Sequence, residues 1–307
     1  MTMIEFNVPL CKISNQLSKK PISVRVNGVL KTVYKSNDTY FLANERCRHR
    51  NMNLVHAKIC STDDMLVCPY HGKKNKAESE LFEKYNFLWL SDPSAFFTDI
   101  PNDYLFCGSQ SEVLSAPFHV VVDNFNEGSH TPHVHRFLGP EIKDIPKVKF
   151  SWTAAADHVD INYFGPQKKN ILFYGLNFNK NISWKINWKT YVQPMHMRYQ
   201  SEWSDDQTNE KLIEENITYF FLDPVSDSET KITTFVFVKP LSYLKFFPGL
   251  VKKVSLFMTM NQIREDQIFY PKIQDLPKDI EHLQLDEYDQ PLLEIRKRAM
   301  QFYKKYF

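Results

Sequence analysis

Glycine is scarce in this chain, at 8 of 307 residues, and no G-x-G-x-x-G occurs in it. The glycine-rich turn that lets a dinucleotide's pyrophosphate approach the backbone is therefore missing, so no nicotinamide or flavin fingerprint is present. Neither sign of charge dominates. The formal net charge is +2, with acidic and basic residues interspersed, which gives no global pull toward nucleic acid or an anionic membrane. Long apolar runs are also absent: the window Leu241 to Met260 is broken by Lys245, Lys252, Lys253 and Pro248-Gly249, short of the roughly 18 uncharged residues that argue for a membrane span. Met1 to Leu17 lacks the basic, apolar and small-residue order of a secretion signal. The five cysteines are an odd number. No disulfide framework is expected, and Cys11, Cys60 and Cys107 read as reduced thiols of a cytoplasmic protein.

The chain does have ample core-forming material, 43% hydrophobic and 14% aromatic residues, over a length that suits two domains. It also has Cys47-Arg48-His49 and, further on, Cys68-Pro69-Tyr70-His71-Gly72. A Rieske [2Fe-2S] centre holds one iron by two thiolates and the other by two imidazoles, so each of two loops must offer one Cys and one His. C-x-H and C-x-x-H meet that demand. Structural zinc sites more often pair Cys with Cys and His with His. Cys47, His49, Cys68 and His71 are therefore the candidate cluster ligands.

Alternating and turn-rich stretches surround these loops. Ser23 to Val26 and Val29 to Tyr34 flank Asn27-Gly28, a strong hairpin signal, and Phe87 to Leu90 adds a further strand. Later strands are expected at Lys147 to Ala154, His158 to Phe164, Ile171 to Leu176, Ile182 to Lys189, Thr218 to Leu222 and Ile232 to Val238. After Pro240 the pattern turns helical. Leu250, Val254, Phe257 or Met258, and Ile263 form one apolar face, and Leu292, Ile295, Ala299, Phe302 and Tyr306 another. The fold class expected is α+β: a small antiparallel β domain over 1–110, then a long antiparallel sheet followed by helices over 111–307.

Between the two sheets lies Asp123-Asn124-Phe125-Asn126-Glu127-Gly128-Ser129-His130-Thr131-Pro132-His133-Val134-His135. A mononuclear non-haem iron site that activates O2 uses two His and one carboxylate on one face of the metal. His130 and His135 on a continuous helix would diverge by about 140°. Pro132 is expected to end a helix after His130, so that His135 can swing back. His130 with His133 is the alternative pair. Asn124-x-x-Glu127 has the form of a capping box.

The segment N-F-x-E-x-S-H-x-x-x-V-H resembles the catalytic motif of the vanillate, dicamba and phthalate branch of Rieske oxygenases. Arg264-Glu265-Asp266-Gln267-Ile268 resembles that family's late acidic segment. The resemblance runs from about residue 20 to 300 and implies a helix-grip catalytic domain. It makes His130, His135 and Asp266 the ligands of a mononuclear Fe(II), with Glu265 as the competitor of Asp266 and His133 near the site. Glu127, where the family usually has Asp, takes the role of bridging this iron to a cluster histidine of a neighbouring subunit, with Asp123 as fallback. Asn124 and Glu127 are thus the candidate catalytic residues outside the ligand set.

The implied activity is monohydroxylation or oxidative demethylation of a small organic substrate with O2, and arene dihydroxylation is the alternative. NAD(P)H would act through a ferredoxin or flavin reductase, and the implied assembly is a homotrimer. Arg46, Arg48, Arg50, Lys73, Lys74 and Lys76 would form a basic rim for an acidic electron donor. Trp184, Trp188, Met195, Met197, Tyr199 and Trp203 line a pocket or belong to the core. The rivals of another class are a Rieske electron carrier without oxygenase activity and a zinc-stabilised binding protein.

Overall fold

The computed structural model describes residues 7–26, 28–169, 181–212, 215–240, 246–280 and 283–307. The strand expected at Ile171 to Leu176 and the hairpin residue Asn27 lie outside them. Two compact units divide at Asp99/Ile100. The boundary expected at 110 falls inside strand β10, Leu105–Leu114. That strand pairs along its length with a strand of the second unit, from Leu105↔Val238 to Leu114↔Thr230. Its backbone hydrogen bonds are made there, so it belongs to that sheet.

In the first unit, β1 (Pro9–Lys12), β2 (Ile22–Val26), β3 (Val29–Ser36), β4 (Thr39–Asn44), β8 (Ser79–Lys84) and β9 (Phe87–Trp89) form an antiparallel sheet in the order β1-β9-β8-β4-β3-β2. A second, three-stranded sheet joins β5 (Lys58–Cys60), β6 (Met65–Val67) and β7 (Lys74–Asn75). Of the two candidate Cys/His motifs, one follows β4 and the other follows β6. Both cysteines are buried in one apolar cluster with Tyr34, Phe41, Leu54 and Leu66. Each fully buried side chain of Leu or Phe size there stabilises the fold by about 1.5–3 kcal/mol, and the same packing keeps water from the thiols.

The second unit is built on a seven-stranded antiparallel sheet. Its strands are β10, β11 (Lys149–Ala154), β12 (His158–Pro166), β13 (Ile182–Val192), β14 (Met195–Asp205), β15 (Glu215–Pro224) and β16 (Thr230–Lys239), in the order β10-β16-β15-β14-β13-β12-β11. Helices α1 (Phe118–Asn124) and α2 (Thr131–Val134) lie between β10 and β11 in sequence. Helices α3 (Pro248–Gln267), α4 (Tyr270–Ile273) and α5 (Gln290–Tyr303) follow the sheet. Helix α3 packs on β10 and β16, whereas α5 packs on β12 and β13. Trp184 opposes Trp203 and Trp188 opposes Tyr199 across β13 and β14. Their ring centroids are 6.4 Å and 5.6 Å apart, and cross-strand pairs of this kind fix register.

The two helical stripes read from the sequence fare differently. Leu292, Ile295 and Ala299 of α5 are buried as expected, with Tyr303 closing the stripe. In α3, however, Leu250, Val254 and Phe257 are exposed. The face turned toward the sheet carries Val251, Thr259, Ile263 and Asp266 instead.

Candidate functional site

The two cluster loops are built alike. The Cys47 N–H donates to the Met52 carbonyl at 2.8 Å and the Asn51 N–H to the Cys47 carbonyl at 2.9 Å. Likewise the Cys68 N–H donates to the Lys73 carbonyl and the Gly72 N–H to the Cys68 carbonyl, both at 2.9 Å. Four residues after each cysteine the chain turns with positive φ, 59° at Asn51 and 65° at Gly72. These are the residue types that adopt the left-handed region at least cost. Space is open around Gly72, so Gly72→Ala tests backbone strain alone. It is expected to cost about 1 kcal/mol, read as a lowered midpoint in a denaturant titration.

These turns hold His49 and His71 side by side, ring centroids 4.7 Å apart. Both histidines are exposed while Cys47 and Cys68 are buried. Burial by itself would raise the Cys47 thiol. The N–H groups of His49 and Arg50, the Asn75 amide and the neighbouring Cys68 outweigh it, and the pKa falls below the ordinary cysteine value. Such a site favours thiolate, the form that ligates metal. A single tetrahedral ion would draw its donors to within about 4 Å of one another. Among the described residues, the one group of three or more such donors within 4.8 Å is His130, His135 and Asp266.

The second centre is assembled by α2 and the end of α3. The structure corrects the expected role of Pro132: it stands in the first turn of α2, where the missing N–H costs nothing, and begins the helix rather than ending one. His130 is the N-cap of α2. His135 is the C-cap, extended at φ −82°, ψ 119°, and this turn brings its ring back toward His130. Their Nε2 atoms lie 3.3 Å apart, and Asp266 Oδ1 is 3.6 Å from each. A point central to a triangle of those sides is about 2.0 Å from every corner, matching metal–imidazole and metal–carboxylate bonds. Asp266 Oδ1 is buried with no hydrogen-bond partner among the described residues. Burial raises the Asp266 pKa, although His135, His130 and the Asn124 amide act against it. A cation in the triangle would supply the missing partner, so this donor set fits one. His133 is exposed and outside the triangle.

Each of the two triangle histidines has a carboxylate on its other nitrogen. His130 Nδ1 donates to Glu127 Oε1. Glu127 Oε2 accepts from the His130 N–H at 3.1 Å and from Ser129 Oγ at 2.6 Å. The pair shifts as expected. Burial would push His130 down, but the Glu127 charge and hydrogen bond, with Asp266, raise it to about 8. Burial would raise Glu127, but His130 and Ser129 hold it below the usual carboxylate value. On the other side, His135 Nδ1 is 3.1 Å from Glu265 Oε2, and Glu265 Oε1 accepts from the Asn261 amide at 3.1 Å. Such partners fix the tautomer that turns Nε2 toward a metal. Glu265 is thus a holder of His135, a role the sequence reading missed. Its only sequence signal is adjacency to Asp266. Glu265→Gln is expected to weaken metal binding at this centre by about 10–100-fold, measured by competition with a chelator.

Asn124 does not open a helix, so no capping box forms. It is the last residue of α1. Its side-chain oxygen accepts from Tyr270 Oη at 3.0 Å, and its amide bonds to Asp266. Asp123, the fallback for the bridging role, is held in a buried bidentate pair by Arg296. Gly139 presses on the same assembly. At φ +80°, a Cβ there would stand 2.6 Å from Thr131 Cγ2, the first residue of α2. Gly139→Ala is expected to cost about 1–3 kcal/mol and to lower metal occupancy of the triangle, since Thr131 must move.

A cavity of about 190 Å³ opens beside the triangle. Glu127, His130, His135 and Asp266 lie on its wall, and so do Trp184, Trp188, Tyr199 and Trp203. Met195 and Met197 are instead fully buried in the core.

Residues 6–83 match the family model of the Rieske [2Fe-2S] domain. A search of curated protein sequences gives no match. Among solved structures, dicamba monooxygenase bound to dicamba is similar at TM-score 0.74 and 12% identity, over 97% of this chain and 96% of that one. The Pseudomonas putida CBB5 NdmA QL mutant with caffeine is similar at TM-score 0.63 and 16% identity, over 96% and 89%. Pseudomonas putida CBB5 NdmB gives TM-score 0.63 and 16% identity over the same shares. The chain carries a Rieske [2Fe-2S] domain and, over nearly its whole length, the fold of dicamba monooxygenase and the Ndm proteins.

Proposed function

We propose that this chain is the oxygenase component of a Rieske monooxygenase, which hydroxylates or oxidatively demethylates a small organic substrate. The observation that carries this reading is the orphaned Asp266 Oδ1, 3.6 Å from two imidazole nitrogens on the wall of an aromatic-lined cavity. A pure electron carrier has no use for such a triangle. The similar structures include complexes with dicamba and with caffeine, both small ring compounds, and the flat aromatic wall suits a substrate of that kind.

Cys47 and Cys68 would hold one iron of the cluster and His49 and His71 the other. His130, His135 and Asp266 would hold Fe(II). When bound, the cluster supplies electrons and the mononuclear iron the site of O2 chemistry. The protein's own groups do the rest. Glu127 and Glu265 keep both ligating imidazoles in the tautomer that leaves Nε2 free. Asn124 orients the Asp266 carboxylate, and the aromatic wall excludes water and aligns the substrate ring. Glu127 Oε1 keeps a lone pair beyond the one taken by His130, so it can also accept from a cluster imidazole of a neighbouring copy in a head-to-tail homotrimer. Arg48, Arg50, Lys73 and Lys76 are exposed and suit an acidic ferredoxin or reductase that draws on NAD(P)H. Lys74 is tied to Asp63. A cytoplasmic setting agrees with Cys47, Cys60 and Cys68 standing as free thiols.

The test is iron stoichiometry together with substrate-coupled O2 uptake. About three irons per chain and substrate-dependent O2 consumption are expected. Two irons without such consumption would point to a carrier. Dihydroxylated products would point to an arene dioxygenase.

A further inference from the structure

The sheet face that lines the cavity is largely apolar and aromatic, with one interruption. Tyr199 stands opposite Thr218 and Ser201 opposite Asn216 across β14 and β15, and alternate residues of a strand share a face, so Ser201, Asn216 and Thr218 make one polar patch. Ile186 and Trp188 border it on β13, and Val236 and Val238 on β16. All of these residues line the cavity. Ser201 is 5% exposed and Thr218 is 4% exposed, yet among the described residues neither hydroxyl has a hydrogen-bond partner, and the Asn216 amide has none either. Their neighbours on the same face are satisfied. The Trp203 N–H donates to Gln167 Oε1 at 3.2 Å, and the Tyr199 hydroxyl to the Phe125 carbonyl. A buried hydroxyl left unpartnered costs free energy, which a ligand in the cavity recovers by taking the bond. Charge on the wall is already committed. Among the described lining residues there is no Lys or Arg, Glu127 is engaged by His130, and Asp266 belongs to the triangle. A charged group entering the cavity would lose its hydration and gain no free counter-charge.

We propose that the cavity takes an uncharged ring compound bearing a hydroxyl, carbonyl or amide group, which Ser201, Asn216 and Thr218 hold by hydrogen bonds. A few placed polar groups in an otherwise apolar pocket fix a ligand's orientation. Ser201 lies two residues beyond Tyr199 on β14, about 7 Å along the strand. Anchoring one end of the molecule at the patch thus selects which of its carbons faces the triangle. That the bound compound is the substrate rests on the oxygenase reading, whereas the binding preference itself does not.

The iron-loaded full-length protein is titrated calorimetrically, without O2, with benzamide, benzyl alcohol, benzoate, benzylamine and toluene, which share a ring and differ in one substituent. Benzamide and benzyl alcohol are expected to bind at least about tenfold more tightly than benzoate and benzylamine. Toluene reports the apolar wall alone. Ser201→Ala/Thr218→Val should weaken benzamide binding by about tenfold and leave toluene binding and the circular dichroism melt unchanged, since Val keeps the shape of Thr. The five-compound comparison on the wild-type protein reports even where the double variant folds poorly. The proposal is overturned if benzoate or benzylamine binds as tightly as benzamide, if neither benzamide nor benzyl alcohol binds, or if the variant weakens toluene as much as benzamide. Binding needs neither O2 nor electrons, so the two readings fail separately. Benzamide binding in a protein with no substrate-coupled O2 uptake sinks the oxygenase reading alone, and O2 uptake coupled only to charged compounds sinks this one alone.

Discussion

Asp266→Ala protein is expected to keep its [2Fe-2S] cluster, lose the mononuclear iron and lose product formation by about a thousandfold. Two of the three donor atoms in the triangle come from α2 and its caps. The third comes from the last turn of α3, far away in sequence. Without Asp266 the two imidazoles cannot by themselves hold the ion in a facial arrangement. Iron analysis should fall from about three to about two per chain, while the paramagnetic resonance signal of the reduced cluster stays as in the wild type. A second consequence separates a metal ligand from a structural carboxylate. Asp266 Oδ1 is buried and unpartnered, and burial raises its pKa, so without iron it costs the fold stability. Iron-free Asp266→Asn should then melt no lower than iron-free wild type. A variant that retained three irons, or an iron-free variant that unfolded well below the wild type, would show that Asp266 serves the fold and not the metal.

The parts of this site that could be read in the sequence are those where metal chemistry dictates the residue type. Only Cys and His can supply the two iron environments of a Rieske cluster, so Cys47, His49, Cys68 and His71 stand out with no knowledge of the fold. The choice of Asp266 over Glu265 needed a family resemblance, because adjacent carboxylates look alike until the helix phase is known. In α3 that phase turns Asp266 to the triangle and Glu265 to His135 Nδ1. Pro132 was misread for a similar reason: a proline can end one helix or begin another, and only the chain before it decides.

Strand β14 shows a different limit. It runs Met-His-Met-Arg-Tyr-Gln, yet His196 and Arg198 are buried, so polarity does not report which side faces the core. His196 stacks between Tyr191 and Phe221, with ring centroids at 4.6 Å and 4.9 Å. Burial there lowers its pKa to about 4, which keeps it neutral. In α3 the apolar stripe was legible but its direction was not, because periodicity identifies a face without saying what covers it.

Arg296→Met is expected to destabilise the protein by about 3–5 kcal/mol. Arg296 is 4% exposed and Asp123 is 5% exposed. The guanidinium Nε donates to Asp123 Oδ1 at 2.9 Å, a second nitrogen donates to Oδ2, and the third reaches the Lys278 carbonyl. One side chain thereby ties α5 to α1 and to the segment between α4 and α5. Removing it leaves a carboxylate buried without its partner, a loss comparable to much of the roughly 5–15 kcal/mol that holds a domain together. Truncating both members should cost far less than the sum of the single changes, because Asp123→Leu with Arg296→Met replaces two buried charges by apolar groups of similar size. The effect should also reach the metal. Asp123 is followed by Asn124, whose amide steadies Asp266, so Arg296→Met is expected to lower iron occupancy of the second centre while the cluster remains. Urea titrations of the four proteins of the cycle, each paired with iron analysis, measure both. A single-variant loss under about 1 kcal/mol, the level of an exposed pair, would mean that water reaches the Asp123 carboxylate and that α1 is anchored by something other than this ion pair.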